Sequence, residues 1–311
     1  ASEALLANPT CTISDSGATM ANVVSVTKSG LDYTCAVVVA DDDANGDITY
    51  SIAFTDAAGN AGTAVTSGSG SVTIDNTHPG LSSVAIATNG DGDASNADTV
   101  SLTFTASEAL LANPTCTISD SGATMANVVS VTKSGLDYTC AVVVADDDAN
   151  GDITYSIAFT DAAGNAGTAV TSGSGSVTID NLHPAMASVT ATDDAYGVGE
   201  TLTISVLYDS VVVVTGTPSL TLSNSATATY SSGSASNTLV FAYVVAEGDS
   251  DSTDLSVSSI TGTVNDEAGN AAGAVSADLG AVTVDGDAPD YLTSTATDGD
   301  YGVGETISVT V

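Results

Sequence analysis

Aspartates and asparagines gathered in glycine-rich turns are the residues of this sequence best suited to chemistry. One acidic cluster spans 41–47 and recurs unchanged at 146–152, and a turn motif reading DAAGN or DEAGN occurs three times. Carboxylates crowded in this way repel one another unless a cation lies between them. Ca²⁺ accepts about six to eight oxygen ligands in loose geometry, so oxygen-rich turns suit it. No cluster has the complete EF-hand pattern with its terminal Glu, yet the composition of the turns predicts Ca²⁺ as the bound ion.

Further candidate ligands lie near three prolines spaced by 105 residues, Pro79, Pro184 and Pro289. An aspartate precedes each proline by four residues, and a DAAGN or DEAGN turn lies about 20 residues before that aspartate. We expect one pole of a β-sandwich to bring the turn beside the linker aspartate of the same domain, with an acidic loop of the next domain opposite, so that both domains form a shared Ca²⁺ cage. Asx turns and glycine turns favour the same residue types and stay open as the alternative. The predicted ligands are Asp56, Asn60, Asp75, Asn76, Asp91, Asp93, Asp98, Asp161, Asn165, Asp180, Asn181, Asp193, Asp194, Asp266, Asn270, Asp285, Asp287, Asp298 and Asp300.

The charge balance excludes several classes of protein. The 311 residues include 38 acidic side chains against two basic ones, Lys28 and Lys133, for a net charge of -36. Nucleic-acid binders and proteins that dock on anionic lipid need clusters of Lys and Arg, so both classes are excluded. Hydrophobic residues make up 43% and the mean hydropathy is +0.26, which indicates a folded protein rather than a disordered one. No apolar run approaches the roughly 20 residues of a membrane span, so we predict no membrane insertion.

The sequence offers little for catalysis. Its two histidines, His78 and His183, each lie directly before a linker proline, and we predict no catalytic role for them. Nucleophilic catalysis by Ser-His-Asp or Cys-His therefore lacks a partner. Trp is absent and aromatic residues make up 5%, which argues against the sugar-stacking cleft of a glycosidase. We predict that the protein is not an enzyme.

An internal repeat organises the whole chain. Residues 1–76 recur without a change as residues 106–181, and weaker similarity continues with the same offset of 105. A period near 100 fits one small β-domain per repeat. Two interpretations stay open: a window of a longer array, or a head-to-tail polymer in which the C-terminal strands of one chain complete the first domain of the next. The predicted domains are 1–78 without its first strands, 79–183 complete, 184–288 complete but diverged, and 289–311 as the opening strands of a further domain.

Short alternating segments predict the fold of each repeat. In the complete repeat, 82–88 is predicted as a first strand and 99–105 alternates polar and apolar residues, and further β-rich segments follow, each closed by Gly, Asn, Asp or Pro. About seven strands at this spacing predict an all-β chain of tandem immunoglobulin-like Greek-key β-sandwich domains in an extended array. A helix is expected only as one short turn at 107–113.

The four cysteines fall into two pairs with the same separation, one pair in each of the first two repeats. Their spacing does not match the close cysteine pairs of a zinc site. The diverged repeat has Leu220 and Phe241 at the corresponding positions, which indicates that both positions point into the core. Disulfides are predicted, which implies an oxidising location outside the cytoplasm, and buried free thiols are the alternative. The predicted disulfides are Cys11–Cys35 and Cys116–Cys140.

Several segments together carry a family resemblance. FTDAAGNAG at 159–167, SLTFTASEAL at 101–110 and YGVGETLTISVLYDSVVVVTGTPSLTLS at 196–223 are the most distinctive. On these segments the chain resembles the tandem immunoglobulin-like repeats of large bacterial and some archaeal surface proteins and adhesins. The resemblance implies stalks, lattices or filaments, often stiffened by calcium. The acid-rich linkers between the repeats are similar to the junctions between cadherin domains, although the full cadherin acidic motifs are missing.

These observations lead to one functional hypothesis and two rivals. We predict an extracellular or cell-surface structural protein, a rod, filament or surface layer (S-layer), stiffened by Ca²⁺ and with copies of itself as its partners. The first rival is the stalk of an adhesin whose ligand-binding tip lies outside this segment. The second is the spacer region of an enzyme.

Overall fold

The computed structural model describes residues 1–16, 18–20, 24–89, 93–121, 123–125, 129–290, 292–296 and 298–310. Every regular element in these ranges is a β-strand. The expectation of a helical turn at 107–113 is wrong, since this segment contains no helix. Leu110 instead forms a β-bridge with Asp161, which holds the segment against the turn at 161–165. Nowhere in the described ranges is there a helix long and apolar enough to cross a membrane. The prediction of an all-β chain is confirmed.

The described residues of the first repeat, 1–78, form seven short strands. They are β1 (Thr10–Asp15), β2 (Ala18–Thr19), β3 (Ser25–Ser29), β4 (Asp32–Ala36), β5 (Gly46–Asp47), β6 (Thr49–Ala53) and β7 (Thr73–Ile74). β1 pairs antiparallel with β2 and β6, with Thr10 opposite Ala53. β3 pairs with β4 as a hairpin, and β5 pairs with β7.

The second repeat begins with two strands that have no counterpart in residues 1–78. These are β8 (Leu81–Thr88) and β9 (Thr99–Ala106). Their apolar side chains alternate with polar ones, and Val100, Leu102 and Phe104 of β9 are buried. The remaining strands are β10 (Thr115–Asp120), β11 (Ala123–Thr124), β12 (Ser130–Ser134), β13 (Asp137–Val143), β14 (Gly151–Asp152), β15 (Thr154–Ala158) and β16 (Thr178–Ile179).

The strand order of the second repeat is that of a constant-type immunoglobulin sandwich. One sheet has the order β12-β13-β9-β8, which in that fold corresponds to strands D, E, B and A. The other sheet has the order β11-β10-β15, and Val170 extends it through a bridge to Ile157. The consecutive strands β9 and β10 lie in different sheets, as the Greek-key connection requires. The prediction of immunoglobulin-like domains is confirmed.

The third repeat has the same plan with one long strand in place of two. Its strands are β17 (Met186–Ala191), β18 (Ala195–Gly197), β19 (Thr201–Leu222), β20 (Thr227–Ser232), β21 (Ser236–Val244), β22 (Ser256–Asn265), β23 (Ala277–Asp278) and β24 (Thr283–Asp285). The first part of β19 pairs with β17 and β21, and its second part pairs with β20 and β22. The register along β21 shifts between Leu207 and Val212. The β-branched run at 211–214 keeps the backbone extended across this shift.

Alternation along the strands builds the core of the third repeat. Leu202, Ile204 and Val206 of β19 are buried and lie opposite buried residues of β21. Among these partners, Phe241 packs edge-on against Tyr230 with ring centroids 5.9 Å apart. Because successive side chains of a strand point to opposite faces, the intervening residues lie on the other face of the sheet.

Both predicted disulfides are present, and among the described residues no cysteine is free. The Cα atoms of Cys11 and Cys35 are 6.2 Å apart, and those of Cys116 and Cys140 are 6.4 Å apart. Each disulfide joins a strand of one sheet to a strand of the other. Leu220, which takes the place of a cysteine in the third repeat, is fully buried, as the substitution of an apolar pair predicts.

The final segment forms a small hairpin with exposed apolar side chains. Its strands are β25 (Thr295–Ala296) and β26 (Val309–Thr310), which pair antiparallel. Ile307 and Val309 have 61% and 62% of their surface exposed, and Leu292 has 88%. These three described side chains are therefore not buried in a core.

Backbone contacts divide the chain into two compact units. One unit comprises 1–87, 101–142 and 154–176, and it includes both disulfides. The other comprises 88–100, 143–153 and 177–311, and it includes the buried cluster of the third repeat. The domain boundaries placed after residues 78, 183 and 288 stay a prediction.

Candidate functional site

The turn at 161–165 is held together by one carboxylate. Asp161 Oδ1 accepts hydrogen bonds from the backbone N–H groups of Ala163, Gly164 and Asn165 at 2.8–2.9 Å. Asp161 Oδ2 accepts a hydrogen bond from Asn165 Nδ2 at 2.8 Å. Gly164 has a φ of 103°, a conformation that glycine adopts without strain. The side chain of Asp161 is thereby satisfied within its own turn, as the Asx-turn alternative expects.

Hydrogen bonding also lowers the pKa of Asp161 and Asp56. Burial by itself raises the pKa of Asp161, but the hydrogen bonds from Asn165, Gly164 and Ala163 outweigh it and the pKa lies below its ordinary value. The pKa of Asp56 in the matching turn is lowered too, first by the side-chain hydrogen bond from Asn60. Because both values are lowered, the hydrogen bonds stabilise the folded state above about pH 4 and are lost as the pH falls through the folded-state pKa.

Each of these turns in the second and third repeats binds the linker that precedes its repeat. Asn165 Nδ2 donates to the backbone carbonyl of Asp75 at 2.8 Å, and His78 Nδ1 donates to the carbonyl of Ala166 at 2.8 Å. The same pair of contacts recurs one period later, from Asn270 to the carbonyl of Asp180 at 2.7 Å and from His183 to the carbonyl of Ala271 at 3.0 Å. In each case a turn asparagine therefore binds a carbonyl of the linker, and a linker histidine binds the carbonyl of the residue that follows the turn.

The predicted partner of the linker aspartate was wrong. We expected the turn of the same domain, Asp56 with Asp75, but Asp75 lies against the turn of the following repeat. The register explains the difference: after the turn at 56–60 the chain runs back along its sheet, with Val65 bridging Ile52 and Ile74 pairing with Gly46. The linker therefore leaves from the end of the sheet opposite its own turn.

A cluster of three acidic side chains forms at the first junction, where the linker after the first repeat contacts the second repeat. Carboxylate oxygens of Asp75, Glu108 and Asp161 all lie within 4.8 Å of one another. Burial raises the pKa of Glu108, and the charges of Asp75 and Asp161 raise it further. Glu108 was not among the predicted ligands. The corresponding residue of the first repeat, Glu3, has the same neighbours in sequence, so local sequence does not predict that Glu108 joins this acidic group.

The second junction has a different acidic lining. Asp93, Asp180, Asp209 and Asp266 border a cavity of about 560 Å³ that also adjoins His183. Asp209 Oδ1 accepts a hydrogen bond from the backbone N–H of Ala185 at 2.9 Å. The second junction thus gathers carboxylates around an open space rather than into a close group of three.

Many of the predicted ligands bind backbone groups of their own repeat or lie in solvent. Asn76 and Asn181 donate their amide N–H groups to backbone carbonyls of the acidic loops, such as that of Ala40 at 2.9 Å. Asp93, Asp287, Asp298 and Asp300 are exposed. Asp91 lies outside the described residues. Further predicted ligands each accept a hydrogen bond from a backbone N–H group, namely Asp98, Asp180, Asp193, Asp194 and Asp285.

Replacing Asn165 with alanine is expected to weaken the first junction, and Asn60→Ala is its matched control. Both side chains hold the aspartate of an identical turn, but only Asn165 also binds a linker carbonyl. We expect Asn165→Ala to destabilise its turn by about 1 kcal/mol more than Asn60→Ala, the net value of one hydrogen bond. Hydrogen exchange of the two turns in rising urea measures the difference, and equal losses would show that the linker contact adds no stability.

An open apolar groove is the second candidate site. Two adjoining hollows of about 420 and 400 Å³ lie in the first repeat, and Tyr33, Cys35, Ile52 and Val65 line both. In the second repeat the residues matching Tyr33 and Cys35, namely Tyr138 and Cys140, are buried.

The strand β9 accounts for this difference in burial. Phe104 of β9 stacks on Tyr138 with ring centroids 5.6 Å apart. β13 pairs with β12 on one side and β9 on the other, whereas β4, its counterpart of identical sequence, pairs with β3 alone among the described strands. The groove is the position that β9 fills in the second repeat.

Comparisons with known proteins add the following. No protein-family profile matches the sequence, and no curated protein sequence matches it. Among solved structures, the chain is similar to a tetra-tandem repeat in the extending region of a large adhesion protein, with 19% identity, 95% of this chain and 69% of that chain covered, and a TM-score of 0.29. It is also similar to an I-band fragment of titin (9% identity, 89% and 88% covered, TM-score 0.34) and to a domain of intimin (16%, 62% and 98%, 0.24).

Proposed function

We propose that this chain is a non-enzymatic structural segment of an extracellular or cell-surface protein, in which successive immunoglobulin-like repeats form a rod or filament. The observation that carries the proposal is the linker contact that recurs with the period of the sequence. Asn165 with His78, and Asn270 with His183, bind their linkers in the same way. A repeated device that fixes a linker is what a stiff array needs, and the two disulfides favour an oxidising location.

The proposal includes stiffening by Ca²⁺ at the first junction. Asp75 belongs to the linker, and Glu108 and Asp161 belong to the following repeat, so an ion bound by all three would join the two. Their close carboxylate oxygens and the raised pKa of Glu108 support a site that favours a cation. With Ca²⁺ at ten times its Kd, such a site would add about 1.4 kcal/mol of stability.

Electron microscopy of the purified chain with Ca²⁺ and with EGTA tests both parts. We expect beads at a constant spacing on the order of 35–45 Å in Ca²⁺, and a lower melting temperature with more variable spacing in EGTA. Glu108→Gln should remove the EGTA effect, whereas Glu3→Gln, the same change at the matching position of the first repeat, should leave it. Images and melting that EGTA leaves unchanged would contradict the Ca²⁺ site, and irregular spacing in Ca²⁺ would contradict the rod.

We also propose that chains assemble head to tail by strand complementation. The open groove of the first repeat and the exposed apolar side chains of the final segment, such as Ile307 and Val309, support it. Light scattering of the purified chain separates this assembly from the rival stalk. A polymerising chain gains mass as its concentration rises, and a stalk stays monomeric.

A further inference from the structure

We propose that the groove of residues 1–78 binds the segment 305–310 of a second copy of this chain as an added strand along β4, in the register that β19 takes along β21. The inference rests on the proposed head-to-tail assembly and names its contact residues. It places Val309 opposite Cys35, with Ile307 at the neighbouring position on the same face of the strand.

The groove that would accept the added strand is seen covered by a strand in the second repeat of the same chain. Residues 1–76 and 106–181 are identical in sequence. Within 106–181 of the same chain, β9 covers the surface that corresponds to the groove. Cys35 is half-buried, while its counterpart Cys140 is fully buried. Among the described strands β4 pairs with β3 alone, so its other edge offers backbone hydrogen bonds, and the floor of the groove offers apolar surface. A strand like β9 therefore fits it.

The donor has the pattern of the strand that fills this position elsewhere. GVGETLTISV at 197–206 becomes the start of β19, and GVGETISVTV at 302–311 repeats it with small changes. Ile307 and Val309 correspond to Leu202 and Ile204, which are both buried. In the donor segment the same positions are exposed by 61% and 62%. Their burial in the groove would remove apolar surface from water.

The register follows from the third repeat. There Ile204 lies opposite Phe241, and Phe241 takes the place of the cysteine in the second repeat. The same rule places Val309 opposite Cys35 and Thr310 opposite Thr34.

A second copy also carries other strand pairs that would fit the groove, β8 with β9 and β17 with β19, and the structure disfavours both. Leu202 and Ile204 of β19 are fully buried in the third repeat. The apolar side chains of β9 are already buried in their own repeat, with Val100 and Leu102 fully enclosed. Their release requires that repeat to open. The segment that holds Ile307 and Val309 has no such core to leave, so it is the occupant.

Cysteine cross-linking of the full chain tests the register. We expect Thr34→Cys with Thr310→Cys to give disulfide-linked oligomers, because directly opposite Cβ atoms lie within reach of a disulfide. Asp32→Cys with Thr310→Cys, two residues out of register, should link at least about tenfold less. Peptide mapping must find the bond between positions 34 and 310, and mixing of two mass-labelled preparations must show that it joins different chains. Equal linking of both pairs, or no linking, would overturn the proposal.

A charge placed on either face of the donor strand gives an independent measurement. Val309→Asp should weaken association by at least about tenfold, because the charge would be buried. Ser308→Asp, whose side chain faces away from the groove, should change association by less than about threefold. Sedimentation gives both values, and equal effects of the two variants would contradict the assigned face.

Failure of this inference can be told apart from failure of the proposed assembly. Polymers that form without the 34–310 bond would leave head-to-tail assembly standing and overturn the occupant. A synthetic peptide of residues 79–105 that binds the chain and blocks association confirms the groove as the site of contact. A peptide that binds while association continues overturns it.

Discussion

Phe104→Ala is expected to lower the free energy of unfolding of the second repeat by about 3–5 kcal/mol. Phe104 is 2% exposed and stacks on Tyr138, which is as deeply buried. Removing the ring leaves a cavity that the paired strands cannot close, because hydrogen bonds hold their spacing. The variant would also give the second repeat an open space like that of the first.

Hydrogen exchange of segment 137–143 in rising denaturant measures this loss. Leu111→Ala is the control, since Leu111 is 64% exposed and its truncation should change stability by about 0.5 kcal/mol or less. A loss for Phe104→Ala as small as that of the control would show that β9 does not hold this core together.

Replacing both Cys116 and Cys140 with alanine is expected to destabilise the second repeat by about 3–4 kcal/mol. The cysteines are separated by 24 residues, and the bond limits the freedom of that loop in the unfolded chain. Cys140 is fully buried, so the variant also loses apolar contacts. Calorimetry of the full chain should show one transition moved to lower temperature.

The disulfide of the first repeat provides the comparison. Cys11–Cys35 closes a loop of the same length, but Cys35 borders the open groove. Because thiol–disulfide exchange requires access, we expect a reductant to break Cys11–Cys35 first and Cys116–Cys140 much later. Mass spectrometry of alkylated peptides follows the order, and reduction of both bonds at one rate would contradict the difference in burial.

Much of the fold could be predicted from local patterns. Alternation in segments such as 99–105 fixes which side chains face a core, and Gly, Asn and Asp between the segments fix where strands end. The pair Leu220 and Phe241 identified the cysteine positions as core positions, because an apolar pair can replace a buried disulfide. These inferences needed only the near neighbours of each residue in sequence.

The candidate site could be predicted less well, because its partners are far apart in sequence. Asp75 and Asn165 are separated by 90 residues, and the direction in which a sheet returns decides whether Asp75 lies beside its own turn or the next one. Glu108 enters the acidic group only through the same packing. The aspartate-rich turns satisfy their own carboxylates, so their composition alone did not distinguish a ligand from an Asx turn.

The two identical stretches separate what sequence determines from what tertiary structure decides. Residues 1–76 and 106–181 have the same local preferences, and both form the same hairpins, turns and disulfide. Their burial differs: Val72 is 61% exposed while Val177 is 4% exposed. Local structure depends on backbone preferences and short-range hydrogen bonds, which the sequence fully specifies. Burial depends on which strands cover a surface, and that is a property of neighbours brought together by the fold.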